Sequence, residues 1–161
     1  MTTPPNRPAL ALVLSLLPIV GFAQDAPDWQ ETQVPPPAFQ TERLQRFDVT
    51  VDSSLTYGLD PATVSVGPDY VVRYVVVARS RSGALNAMYE GVRCKTAEVR
   101  RYARWDNNRL AWTLSSSGWE DLSRVRHAAR LANAAFCQGN AVSGSPAQIL
   151  QILQKGRDPE R

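Results

Sequence analysis

The sequence predicts an α+β domain, in which an antiparallel β-sheet meander of about five strands carries a C-terminal helix packed on one face and one disulfide. Three observations lead there. Residues 70–78 are dense in β-branched and aromatic side chains and read as a central strand covered on both faces. Alternating apolar and polar segments, separated by turn residues, flank that run. After residue 117 the apolar spacing changes to helical, and Cys94 and Cys137 fall at a predicted strand end and in the last turn of the predicted helix. With 161 residues, 43% hydrophobic and 20% charged, the chain suits one domain and is neither disordered nor collagen-like.

Residues 1–23 read as a secretory signal peptide: Arg7 supplies a positive charge, residues 8–20 an apolar run, and Gly21 and Ala23 the small residues a signal peptidase reads. A transmembrane helix needs about 20 apolar residues, and this run is shorter and broken at Pro18. No Cys stands at the first mature position to accept a lipid. The expectation is therefore an exported chain starting at Gln24, without a transmembrane anchor once the signal is removed. Two cysteines in an exported chain point to one disulfide, Cys94 to Cys137.

Residues 24–45 form an extended arm, because Pro27 and the prolines at 35–37 impose polyproline geometry. Trp29 and Phe39 are placed to pin that arm to the domain. The core domain spans 46–139. Residues 47–51 alternate as a half-buried strand, and residues 55–59 form another that ends at Asp60 and Pro61. The run 70–78 and the run 87–93 make a hairpin around the turn at 80–83. In residues 96–105, Ala97, Val99, Ala103 and Trp105 alternate with Glu98, Arg100, Tyr102 and Arg104, so one face is core and the other wet. Leu110, Trp112 and Leu114 mark a further short strand.

Ser117 and Glu120 match a capping box, so the helix is expected to start there. Its apolar stripe runs Leu122, Val125, Ala129, Ala132 and Phe136, with His127 at the margin of the polar face and Gly139 ending it. Residues 140–161 comprise a small-residue linker, a short helix opened by Pro146 with Ile149, Leu150, Ile152 and Leu153 on its apolar face, and a polar tail. That helix is expected to dock on the sheet.

Catalytic chemistry is weakly represented. The one histidine, His127, suits an exposed or packing role on its helix, and the cysteines are matched to each other, so no catalytic residue is assigned. Gly67, Gly83 and Gly91 read as turn or strand glycines and form no phosphate loop, so no cofactor is implied. The spacing of Cys94, His127 and Cys137 fits no zinc site. A formal net charge of +3 together with export disfavours nucleic acid as a partner. The candidate binding residues are Arg100, Tyr102 and Arg104 on one strand and Tyr89 and Arg93 on its neighbour, guanidinium forks interleaved with rings. The register across Cys94 and Lys95 decides whether they share a face or split between two, and a solvated face with an aromatic rung is the plainer reading.

The stretches Leu59-Asp-Pro-Ala-Thr-Val-Ser-Val-Gly67, Val72-Arg-Tyr-Val-Val-Val-Ala-Arg-Ser80, Tyr89-Glu-Gly-Val-Arg-Cys94 and Arg126-His-Ala128, with Cys137, resemble the cryptic neisserial protein-one-like family. The likeness covers residues 29–153. It implies a bacterial periplasmic or envelope protein, and it carries over no catalytic residue. The function expected is an exported, non-enzymatic periplasmic module that binds or supports an envelope protein or an anionic envelope ligand. The alternative is a small periplasmic hydrolase or transferase using a carboxylate pair.

Overall fold

The computed structural model describes residues 29–50 and 53–156. The expected export signal with its cleavage point, Val51 of the expected first strand, Asp52, and residues 157–161 of the polar tail lie outside the described residues.

Strands β1 (Gln45–Phe47), β2 (Leu55–Val66), β3 (Val71–Ser80), β4 (Leu85–Arg93), β5 (Glu98–Asp106) and β6 (Ala111–Leu114) follow one another across an antiparallel sheet, and β7 (Glu120–Asp121) also pairs with β5. The meander is the one expected, with two differences: β1 covers Gln45–Phe47 where a strand over 47–51 was expected, and β7 adds a two-residue strand. β3 lies inside the sheet, and eight successive residues from Val71 are buried. Strand β2 does not stop at Asp60. It bulges between Asp60 and Ser65 and continues, with the Thr63 hydroxyl accepting from Val75 N–H at 2.9 Å where the ladder is interrupted. Pro61 is tolerated there because a bulge asks no ladder hydrogen bond of it.

A second correction concerns the helix start. Glu120 and Asp121 pair with Val99 and Glu98 of β5 instead of opening a helix, and the Ser117 hydroxyl donates to the Arg101 carbonyl at 2.9 Å. Strand pairing satisfies these backbone groups, so the capping box has no orphan amides to serve. Asp121 caps a 3₁₀ turn at Leu122–Arg124, and helix α1 (Arg126–Leu131) follows, closing with a π turn at Ala132–Phe136. His127, expected at the helix margin, is buried instead, held by Glu90 of β4 at 2.8 Å. Cys137 is already extended, in β8 (Cys137–Gln138), and Gly139 turns that strand into β9 (Ala141–Val142) with φ of 60°. Helix α2 (Pro146–Lys155) starts at a Ser145–Gln148 capping box and docks through Ile149 and Leu153.

Both faces of the sheet are covered. On one, Leu59, Val72, Tyr74, Val76, Val92 and Val99 pack against Ala128, Leu131, Phe136 and Ile149 of the helices. The Cys94–Cys137 disulfide joins the end of β4 to the end of the helical segment. On the other face, Val75, Val77, Ala87, Tyr89 and Ala103 pack against Phe39, Leu44, Trp105 and Trp112. Phe39 and Leu44 belong to the extended arm. Among the described residues, no helix is long and apolar enough to cross a membrane.

Candidate functional site: a cationic groove at the disulfide end

Where β4 meets β5, Tyr89 pairs with Ala103 while Glu90 pairs with Arg101, so Tyr102 is the extra residue of a bulge. The bulge reverses the alternation expected from residues 96–105. Arg100 and Tyr102 lie on the arm face together with Tyr89 and Arg93. Arg104, opposite Met88 of the helix-face core, lies on the other side, where its Nε donates to Asn86 Oδ1 at 2.8 Å. Val99 and Ala103 likewise belong to opposite cores.

The four residues brought together on the arm face are engaged by the chain itself. Arg100 donates to Glu31 Oε2 at 2.7 Å and to the Ser117 carbonyl at 3.1 Å. Tyr89 is buried against Tyr102, with ring centroids 5.3 Å apart. The Tyr102 ring crosses Gly91, where an added Cβ would stand 2.7 Å from it, so a side chain there would push the ring away. Burial, followed by the Glu31 carboxylate, drives the Tyr102 phenol well above its ordinary range. The Arg93 guanidinium stacks 3.8 Å from the centre of the Trp29 ring.

Arg93 reaches the end of the sheet, and the groove there has a volume of about 580 Å³. Its walls come from the arm (Trp29), the β2–β3 turn (Asp69, Tyr70), the end of β4 (Arg93, Cys94, Lys95) and the β8–β9 hairpin (Val142). Asp69 is already engaged: it receives Arg73 Nη2 at 2.6 Å, Arg73 Nη1 at 3.0 Å and Thr32 N–H at 2.8 Å. Burial opposes its charge, but these donors and the guanidinium outweigh burial and hold its carboxyl below the ordinary value. The Asp69 carbonyl accepts from the Trp29 indole N–H at 3.0 Å, which fixes the groove wall. Lys95 is exposed and has no salt-bridge partner among the described residues.

Tyr70 stands out in this groove. The turn is closed by Tyr70 N–H on the Gly67 carbonyl at 3.0 Å and by Gly67 N–H on the Val71 carbonyl at 3.2 Å. That geometry puts its last residue in the left-handed region, usually a glycine position, yet Tyr70 holds φ of 58° with 73% of its surface exposed. An aromatic residue there costs of order 1–3 kcal/mol.

A second cluster lies on the helix face. Glu90, 1% exposed, meets His127 Nε2 at 2.8 Å, the Tyr74 hydroxyl at 3.1 Å and Arg101 Nε at 3.3 Å. The Tyr57 ring stacks on His127. Burial would raise the Glu90 carboxyl, but His127, Arg101 and Tyr74 together keep it below its ordinary value. Neither Glu90 nor His127 lines the groove, so the pair has no substrate space there. Among the described residues no group of His, Cys, Asp and Glu is placed to hold a metal ion.

The sequence reading passed over Tyr70, Lys95, Glu31 and Glu90. A signal existed for two of them. Tyr70 closes a Gly67-Pro-Asp turn at a glycine position, and Glu90 shares its inward parity with Met88 and Val92, so it requires a buried partner.

A model of the CNP1-like family matches residues 24–154. No curated protein and no solved structure matches the chain. The match spans the arm, the sheet, the disulfide and both helices, and so the chain belongs to the CNP1-like family, the one its Tyr89–Cys94 motif resembles.

Proposed function

We propose that this protein is an exported, non-enzymatic module of the bacterial cell envelope, and that the groove beside the disulfide binds an anionic envelope ligand with an apolar body. Membership in the CNP1-like family assigns no molecular activity, so the reading rests on the groove. Lys95 offers positive charge beside Arg93, whose guanidinium also pairs with Glu98 at 3.8 Å, while Trp29 and Val142 offer apolar surface. The observation that carries the reading is Tyr70: an exposed aromatic ring is held at a backbone cost exactly where a glycine would relieve it. Strain of this kind, kept on a groove rim, is what ligand recognition retains against stability. The groove favours binding over hydrolysis or group transfer, because its walls bring cations together and the Asp69 carboxylate is engaged by Arg73.

Phenyl phosphate is a suitable probe, measured by calorimetry on the mature protein against inorganic phosphate and phenol separately. Saturable binding that needs both halves of the probe is expected. Tyr70→Gly should weaken it about tenfold, the size of one good contact, while raising the melting temperature. A Tyr70→Gly variant that is more stable and binds equally well would place the ring outside any site. Release by osmotic shock with Gln24 at the N-terminus tests export.

A further inference from the structure

A second cavity, of about 470 Å³, lies between β1 and the two helices, away from the groove. Its floor is aliphatic: Leu59, Leu131 and Leu153 are buried beneath it, and Ile152, 39% exposed, stands beside them. Two side-chain nitrogen donors border it. The Gln45 Nε2 amide is buried and has no hydrogen-bond partner among the described residues. β1 pairs Gln45 with Leu59, which puts the amide side chain on the helix face where the cavity lies. Arg130 lines the cavity as well and has no salt-bridge partner among the described residues, whereas Arg46 pairs with Gly58 and its side chain lies on the arm face. Arg130 Nε donates to the Asp48 carbonyl at 3.2 Å, which anchors the side chain and leaves its other nitrogens free of that bond. The Asp48 residue is itself exposed, so water screens the negative charge it brings to the rim.

A buried donor without an acceptor normally costs free energy, and native proteins fill such positions with a partner. We infer that this cavity binds a single-headed amphiphile: a carboxylate on a linear apolar chain, the chemistry of a fatty acid. A carboxylate supplies two coplanar acceptors, matching a guanidinium fork and an amide N–H₂ together. The unbranched chain suits the Leu and Ile floor, and the size lies in the range of small-molecule pockets. The site is independent of the groove, and none of the groove's walls borders it.

Octanoate is the probe, with 1-octanol as its uncharged counterpart, each titrated into the full exported protein by calorimetry and followed by thermal melting. Octanoate should bind saturably and raise the melting temperature, and octanol should bind about tenfold more weakly for want of the charge-assisted hydrogen bonds. Arg130→Ala, at an exposed position, should bring octanoate down to the octanol level. Ala134→Trp fills the cavity from an exposed helix position, and Ile152→Asp opposes both chain and carboxylate; either should abolish binding of both probes. Tyr70→Gly should leave octanoate affinity unchanged, which separates this site from the groove. Absence of saturable octanoate binding, equal affinity for octanol, or full binding in folded Ala134→Trp and Ile152→Asp would overturn the inference.

Discussion

The helix face of the sheet is closed by segments that satisfy their own backbone, whereas the arm face is closed by one that cannot. Helices α1 and α2 carry their backbone hydrogen bonds internally and take from the sheet mainly apolar surface, supplied by Val72, Val76 and Val92, with the His127–Glu90 contact as one polar anchor and the disulfide as a covalent tie. The arm is extended and interrupted by prolines, so its polar groups need outside partners. The sheet provides them one at a time. Asp69 receives Thr32 N–H, Arg73 donates to the Thr32 carbonyl at 2.7 Å, Trp112 donates to the Pro37 carbonyl at 2.8 Å, and Asp60 receives Gln40 N–H at 2.7 Å. A buried charge pair thus acts as a docking point for an irregular segment, and that same segment brings Trp29 to the groove. The lesson is that an extended cover is specified by polar anchors, and a helical cover by periodic apolar ones.

The largest effect should come from breaking an anchor. Asp69→Ala leaves the Arg73 guanidinium, 1% exposed, without its carboxylate, and should cost about 3–5 kcal/mol in urea unfolding. Proteolysis should then cut the arm first, with the helix face intact; simultaneous loss of both faces would show that the two covers are not separable. On the helix face, replacing Cys94 and Cys137 together by Ala should cost about 2–5 kcal/mol, because the bridge closes a long loop in the unfolded chain. Helix-face amides should lose hydrogen-exchange protection before Thr32 does.

Acid sharpens the same contrast. Asp69 and Glu90 are both held below their ordinary values of 3.8 and 4.5. Each stays ionised when folded at a pH where the unfolded chain already takes up a proton. The stability they contribute is therefore complete above about pH 4.5 and is lost as pH falls through the lower folded values. Asp69→Asn should flatten the acid limb seen by probes on the arm, and Glu90→Gln that seen by probes on α1. The smallest difference concerns two arginines of one strand. Arg100→Ala, which breaks the contact with Glu31, should cost about 1–2 kcal/mol, whereas Arg104→Ala, at an exposed position, should stay within about 0.5 kcal/mol. Equal losses would contradict the assignment of the two residues to opposite faces.

Legibility in the sequence follows how local each feature is. The central strand, its hairpin to β4, the helix opened by Pro146 and the Cys94–Cys137 bridge were readable because β-branched density, turn residues, a proline at a first helical position and an unambiguous cysteine pair are signals within a few residues. The face of Arg104 was not, because the bulge at Tyr102 is set by pairing with Tyr89 and Glu90 on another strand. The helix start failed for a similar reason. A local capping match at Ser117 competed with pairing of Glu120 to Val99, and the long-range ladder won. The contact of His127 with Glu90, separated by 37 residues, has no local signature at all. Of the candidate site, Arg93 was found from strand alternation, while Tyr70 and Lys95 were hidden in turns whose spatial neighbours only the fold supplies.

If the docked arm and the strained turn together build a ligand site, a ligand should be felt at Trp29 and not at the middle of the arm. The indole N–H resonances of the four tryptophans, followed by NMR during a phenyl phosphate titration, test it most directly. The Trp29 indole, bonded to the Asp69 carbonyl beside Tyr70, should shift saturably while that of Trp112, under the middle of the arm, stays in place. In Tyr70→Gly the same shift should need about tenfold more probe, with both resonances retained. A Trp29 resonance unmoved by the probe, or one that shifts at the same probe concentrations in Tyr70→Gly, would show that the arm and the turn build no such site.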